Sequence, residues 1–188
     1  MIAASPILVG VFEGFSWIRF EGKGSFLNSP AMKDFGEARI DAGDMCIIVD
    51  LDACTGMDST FMGTLAGMAA RLSAADGGVL EIAEPGERNR RSLEDLGLDF
   101  LMKIDPPAAL WRGQMELIRE ELRAPEDPAS QADVQRVRHV LEAHQTLSNM
   151  SEKNAGEFAG VVKMLKEDLS AKEESAGEGG ANDDAESG

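Results

Sequence analysis

The run Met45-Cys46-Ile47-Ile48-Val49-Asp50-Leu51 leads almost directly into Met62, Leu65, Ala66, Ala69 and Leu72 at helical spacing, and this junction constrains the fold most. The first run is short, apolar and β-branched in its middle, which predicts a strand buried on both faces. The second predicts a helix over about 59–74 with an apolar stripe. Between them stands Asp58-Ser59-Thr60. Backbone N–H groups at a helix start point outward unpaired, so such a junction is a place where binding or chemistry is often built.

The alternation continues on both sides. Residues 7–12 and 15–20 read as strands joined by Glu13-Gly14. Asn28-Ser29-Pro30 offers a helix cap with proline in the first turn, and Ala31 to Ile40 follow as a short helix closed by Gly43. Val79 to Ala83 predict a fourth strand, Arg88 to Leu96 a third helix closed by Gly97, and Phe100 to Ile104 a fifth strand. Pro106-Pro107 then opens a helix running to Leu122. The expected order is β-β-α-β-α-β-α-β-α. It describes an α/β domain over residues 1–122, with a mostly parallel sheet of about five strands and an antiparallel hairpin at one edge.

Residues 123–170 carry no strand pattern. Val134, Val137, Val140, Leu141 and Leu147 form one apolar stripe, and Phe158, Val161, Val162, Leu165 and Leu169 another, which predicts a helical extension. These helices could fold back as a hairpin or join two copies of the chain as a homodimer. Residues 171–188 contain only Gly, Ala, Ser, Asn, Asp, Glu and one Lys, a composition expected to stay disordered.

A net charge of -16 sets nucleic acid and anionic membranes aside as direct partners. Cys46 and Cys54 show no metal-ligand spacing and suit a reducing compartment. No run approaches the roughly 20 apolar residues of a spanning helix, so a cytoplasmic protein without membrane insertion is expected.

Several constellations compete with the helix start. Asp50-Leu51-Asp52 has the look of the paired aspartates of haloacid-dehalogenase-type phosphatases, but that pattern wants Thr or Val where Cys54 stands. Lys103 sits where a phospho-aspartate receiver domain would want its lysine, yet the first strand has no acidic pair for Mg²⁺. Gly22-Lys23-Gly24-Ser25 lacks the spacing of a phosphate loop. His139 and His144 lie about 140° apart around a helix and do not converge on one ion. No catalytic residue, metal site or cofactor is therefore expected, and the chain is expected not to be an enzyme. Asp50 and Asp52 are the only candidates for the contrary reading, phosphoryl transfer.

Asp58-Ser59-Thr60 first of all reads as a helix N-cap. Around it cluster Met57, Phe61, Met62 and Met68, with Gly63, Gly67 and Ala70 as a small-residue stripe. Methionines beside small residues suit an adaptable protein-binding face, and they suit an ordinary helix-on-sheet core equally well.

In element order and in this motif the chain resembles the STAS domain, the fold of bacterial anti-sigma-factor antagonists, over about residues 6–122. Members carry an apolar strand followed by a segment like Met-Asp-Ser-Ser-Gly-Leu-Gly, and Met57-Asp58-Ser59-Thr60-Phe61-Met62-Gly63 stands in its place, with Phe61 where glycine is usual. Arg91-Ser92-Leu93-Glu94-Asp95-Leu96-Gly97-Leu98 is a weaker second match. The resemblance implies a non-enzymatic regulatory protein that binds an anti-sigma factor or related serine kinase. It further implies phosphorylation at Ser59, with Thr60 as a second hydroxyl, and reversal by a Ser phosphatase. Met57, Asp58, Phe61 and Met62 are then the expected partner contacts, with Arg88 and Arg91 beside them. An accessory or scaffold subunit of a transporter or signalling complex, lacking the phospho-switch, is the alternative.

Overall fold

A computed structural model describes residues 6–126 and 132–178. The chain divides into two compact units between residues 129 and 130. The first begins with the antiparallel hairpin of β1 (Ile7–Phe12) and β2 (Phe15–Phe20). There follow β3 (Gly22–Gly24), α1 (Ser29–Asp41), β4 (Cys46–Asp50), β5 (Cys54–Met57) and α2 (Ser59–Ala74). β6 (Val79–Ala83), α3 (Gly86–Asp95), β7 (Lys103–Ile104) and α4 (Met115–Glu121) complete it. The main sheet has the order β1-β2-β4-β6-β7, with the hairpin antiparallel and every later pairing parallel. This is the mixed α/β sheet that the alternation of elements predicts.

Three details depart from the sequence reading. β3 and β5 form a separate parallel pair, unforeseen because segments of three and four residues containing Gly22, Gly24 and Gly56 carry no alternation to detect. The fifth main-sheet strand shrinks to Lys103–Ile104, because Gly97 at φ +75 starts a 3₁₀ turn over Leu98–Phe100. Pro106-Pro107 does not open a helix: a 3₁₀ stretch begins only at Leu110 and α4 at Met115.

Side chains alternate between the two faces of the sheet. On one face, Phe20 meets Phe61 of α2 edge-on at 4.7 Å, and the register aligns Ile18, Val49 and Ile82 in one buried row. On the other, Trp17 meets Trp111 at 5.5 Å, and Ile48, Met115, Ile118 and Leu122 complete a core under α4. Burying each such side chain is worth about 1.5–3 kcal/mol, which holds in place a helix too short to persist alone. Arg123 then exchanges two backbone hydrogen bonds with Val9, at 2.7 and 3.0 Å, and covers the edge of β1. The α/β unit therefore reaches past residue 122.

The second unit contains α5 (Asp133–Ser148) and α6 (Glu152–Glu178). Leu141, Leu147 and Phe158 are buried, and His144 lies edge-on to Phe158 at 5.5 Å. α6 continues to Glu178, beyond the residue-170 boundary set for the disordered tail. Ala171, Lys172, Glu173 and Glu174 are good helix formers, and Lys172 pairs with Asp168 one turn back, so propagation here needs no burial. Residues 179–188 of that expected tail lie outside the described residues. Among the described residues no helix is long and apolar enough to cross a membrane.

Candidate functional site

Asp58 organises the start of α2. Its backbone is extended (φ -90, ψ 172), and one carboxylate oxygen, Oδ1, accepts from the Phe61 N–H at 2.8 Å, a standard N-cap. The other oxygen, Oδ2, accepts from the Phe26 N–H at 2.8 Å, and the Asp58 N–H donates to the Gly24 carbonyl at 2.9 Å. One residue thus fastens together β3, the loop after it and the helix. Ser59, the first residue of α2, is half-buried beside this clamp.

Asn28 closes the same loop rather than capping α1: its Oδ1 accepts from the Ser25 N–H and its Nδ2 donates to the Lys23 carbonyl, both at 2.8 Å. The loop between these fastenings presents Phe26 and Leu27, which are 40% and 70% exposed. This apolar pair escapes sequence reading because hydrophobic residues just before a capped helix ordinarily fold back as a staple.

Three of the expected contact or acceptor residues are not at the surface. Phe61 is fully buried, packed against Phe20 and against Gly24, where an added Cβ would stand 2.7 Å from the Phe61 ring. It anchors the helix and offers no face to a partner. Met62 is only 9% exposed and belongs to the core. Thr60 is 4% exposed, so it is not an accessible second hydroxyl. The helix turn decides this: Phe61, Leu65, Met68 and Leu72 recur at i, i+4, i+7 and i+11 on the inward stripe. That spacing is present in the sequence and is the signal that could have placed Phe61 inside.

Met57 is half-buried at the end of β5, next to the clamp. Asn89 ties α3 to β5 by donating to the Cys54 carbonyl at 2.9 Å. Arg88 and Arg91 are exposed on α3, and Arg91 is paired with Glu87 at 3.2 Å. Such an exposed helical pair is worth a few tenths of a kcal/mol.

Asp50, one of the two candidates for phosphoryl transfer, has its carboxylate engaged within the fold. It is wholly buried at the end of β4, and its oxygens accept from Trp17 Nε1, from Arg19, from two nitrogens of Arg119 and from the Asp52 N–H. Arg119 also reaches Glu84 at 2.8 Å. Burial by itself pushes the Asp50 carboxyl up, but the hydrogen bonds from Arg119 and Arg19 outweigh it and hold it below the usual carboxylate range. Donating these bonds to Asp50 raises the Arg119 guanidinium above its ordinary value. This cluster welds α4 to the sheet.

No curated protein matches the chain. Among solved structures, an anti-sigma factor antagonist from Mycobacterium paratuberculosis is 21% identical, with 60% of this chain and 92% of that chain covered at a TM-score of 0.49. The Bacillus cell fate determinant SpoIIAA is similar in its phosphorylated form at 21% identity (60% and 96% covered, TM-score 0.45). Its unphosphorylated form stands at 18% (60% and 96%, TM-score 0.46). The model of the STAS domain family matches residues 7–109, more than half of the sequence and all of the sheet described above, and the chain belongs to that family.

Proposed function

We propose that this protein is a non-enzymatic, cytoplasmic binding protein of the anti-sigma-factor antagonist type, which engages an anti-sigma factor or related serine kinase and is switched by phosphorylation of Ser59. The observation that carries this reading is Ser59 at the first position of α2, beside a clamped loop with an exposed Phe26-Leu27 pair. The contact surface on this reading comprises Met57, Phe26 and Leu27, with Arg88 and Arg91 at its margin. Asp58 acts by holding the loop, since two backbone amides already occupy its oxygens.

A phosphate on Ser59 adds about -1.5 to -2 charge, which a helix N-terminus accommodates locally. The same charge sits beside the Asp58 carboxylate and the apolar pair, so a partner that must desolvate this surface binds less well. A Ser phosphatase would restore binding. The helical unit of α5 and α6 is the proposed dimerisation element. The test of that is mass in solution: dimer for the full chain and monomer for a chain truncated after Pro125.

The switch is tested by capturing partners from the protein's own cells with wild type, Ser59→Ala and Ser59→Asp, and by mass spectrometry of Ser59. Wild type and Ser59→Ala should retain a kinase-like partner and Ser59→Asp should lose it about tenfold or more. Equal retention by Ser59→Asp ends the switch reading. Capture of a transporter subunit with no phosphate on Ser59 would favour the accessory reading instead.

A further inference from the structure

At the start of β4, the end of that strand away from Asp50, the face covered by α4 contains a groove of about 670 Å³. Phe12, Phe15 and Ile48 line it from the sheet, Trp111 and Ile118 from the segment that covers the sheet, and Glu13 and Glu81 add two carboxylates. No lysine, arginine or histidine is among its lining residues. The aromatic rings form a connected series: Phe12 stacks on Phe15 at 5.2 Å, Phe15 meets Trp17 at 6.3 Å, and Trp17 meets Trp111 at 5.5 Å.

Glu81 is held in place because its Oε2 accepts from the Trp111 indole N–H at 2.7 Å. Two cations stand near the groove without lining it. Arg112 lies 5.1 Å from the centre of the Trp111 ring, but its guanidinium is engaged by the Pro106 and Asp105 carbonyls and the Asp105 carboxylate. Lys103, opposite Glu81 in the strand register, is exposed to solvent but acts through space on Cys46, so it offsets part of the carboxylate charge. Burial first, then Glu81 and Asp44 against an opposing effect of Lys103, pushes the Cys46 thiol up to about 11, so it enters the groove as a neutral group.

Carboxylates and aromatic faces both attract positive charge, and apolar walls reward a body without hydrogen-bonding needs. An anion would meet two lining carboxylates and no lining base. We propose that this groove binds an organic ammonium ion carrying an apolar body, a site independent of Ser59 and of the switch proposed there.

The test titrates the full chain with choline and with benzyltrimethylammonium, followed by calorimetry and by the emission of Trp17 and Trp111, the only two tryptophans. The uncharged carbon analogue of choline, 3,3-dimethylbutan-1-ol, serves as the control. Saturable binding of a cation at least about tenfold tighter than the alcohol is expected. Glu81→Gln keeps an oxygen for the Trp111 N–H and should weaken the cation about fivefold or more without altering the response to the alcohol. Should that variant misfold, Glu13→Gln removes charge from the same groove, and Ala109→Phe narrows its wall and should abolish binding. The proposal is overturned if the alcohol binds as tightly as choline, or if a folded Glu81→Gln, or Glu13→Gln where that stands in for it, binds the cation unchanged. It is equally overturned if Ala109→Phe binds unchanged, or if neither cation saturates by about 50 mM.

Discussion

Asp50 and Asp58 lie on either side of β5, and both have every carboxylate oxygen occupied, yet they do opposite things. Asp50 is a buried charge held by Arg19 and Arg119, and it ties the C-terminal end of the domain to the centre of the sheet. Asp58 is a half-buried charge held by two backbone N–H groups, and it ties a loop to a helix start. The buried carboxylate makes a joint that is costly to break, because without it Trp17 Nε1 has no acceptor and Arg19 and Arg119 keep only their more exposed partners Glu21, Asp52 and Glu84. Backbone partners make a joint that is cheap to open, because water can replace them at the surface. The molecule thus places its strong joint where packing must not change and its weak joint beside Ser59.

That contrast can be broken from the strong side first. Asp50→Ala should destabilise the domain by about 3–5 kcal/mol in chemical denaturation, since Arg19 and Arg119 would lose their buried counter-charge. A loss similar to that of an ordinary surface substitution would mean that the cluster is not the weld inferred here. Acid should reach the same joint. A carboxyl held below its unfolded value contributes stability that is complete above the ordinary carboxylate pKa of about 4 and is lost as pH falls through the folded value. Asp50 and Asp44 are both held down, Asp44 first by its hydrogen bonds from Arg39. Wild type should therefore lose stability steeply below about pH 4, and Asp50→Asn should flatten that dependence.

On the weak side the effects are smaller. Gly24→Ala would drive a methyl group into the buried Phe61 ring and should cost about 1–3 kcal/mol, measured as a lowered denaturation midpoint. Asp58→Ala should cost only about 1–2 kcal/mol, while backbone amide exchange at Phe26 and Phe61 speeds up together. Faster exchange at Phe61 alone would show that the loop is held by something other than this carboxylate.

The two joints also differ in how far the sequence disclosed them. Asp58 was legible because a cap is local: Asp, Ser and Thr directly before an apolar helical stripe carry their meaning within a few residues. The main sheet was legible for the same reason, through the runs at 45–51 and 79–83. The Asp50 cluster was not, because Arg119 lies 69 positions away and no periodicity links a strand-end carboxylate to a guanidinium on a distant helix. Phe61 was misplaced although its stripe was present, because its neighbours in the motif drew it outward and its spacing to Leu65 drew it in. β3, β5 and the Phe26-Leu27 loop depend on glycine geometry and backbone contacts that composition does not encode.

The buried Phe61 ring fixes what kind of message the surface above it can carry. With the ring wedged between Phe20 and Gly24, the first turn of α2 cannot slide or rotate without opening the core. Any modification of Ser59 is therefore written as charge on a rigid frame, not as a change of shape. A signal of that kind keeps no conformational memory: it lasts as long as the modifying group does, and it is erased when that group leaves.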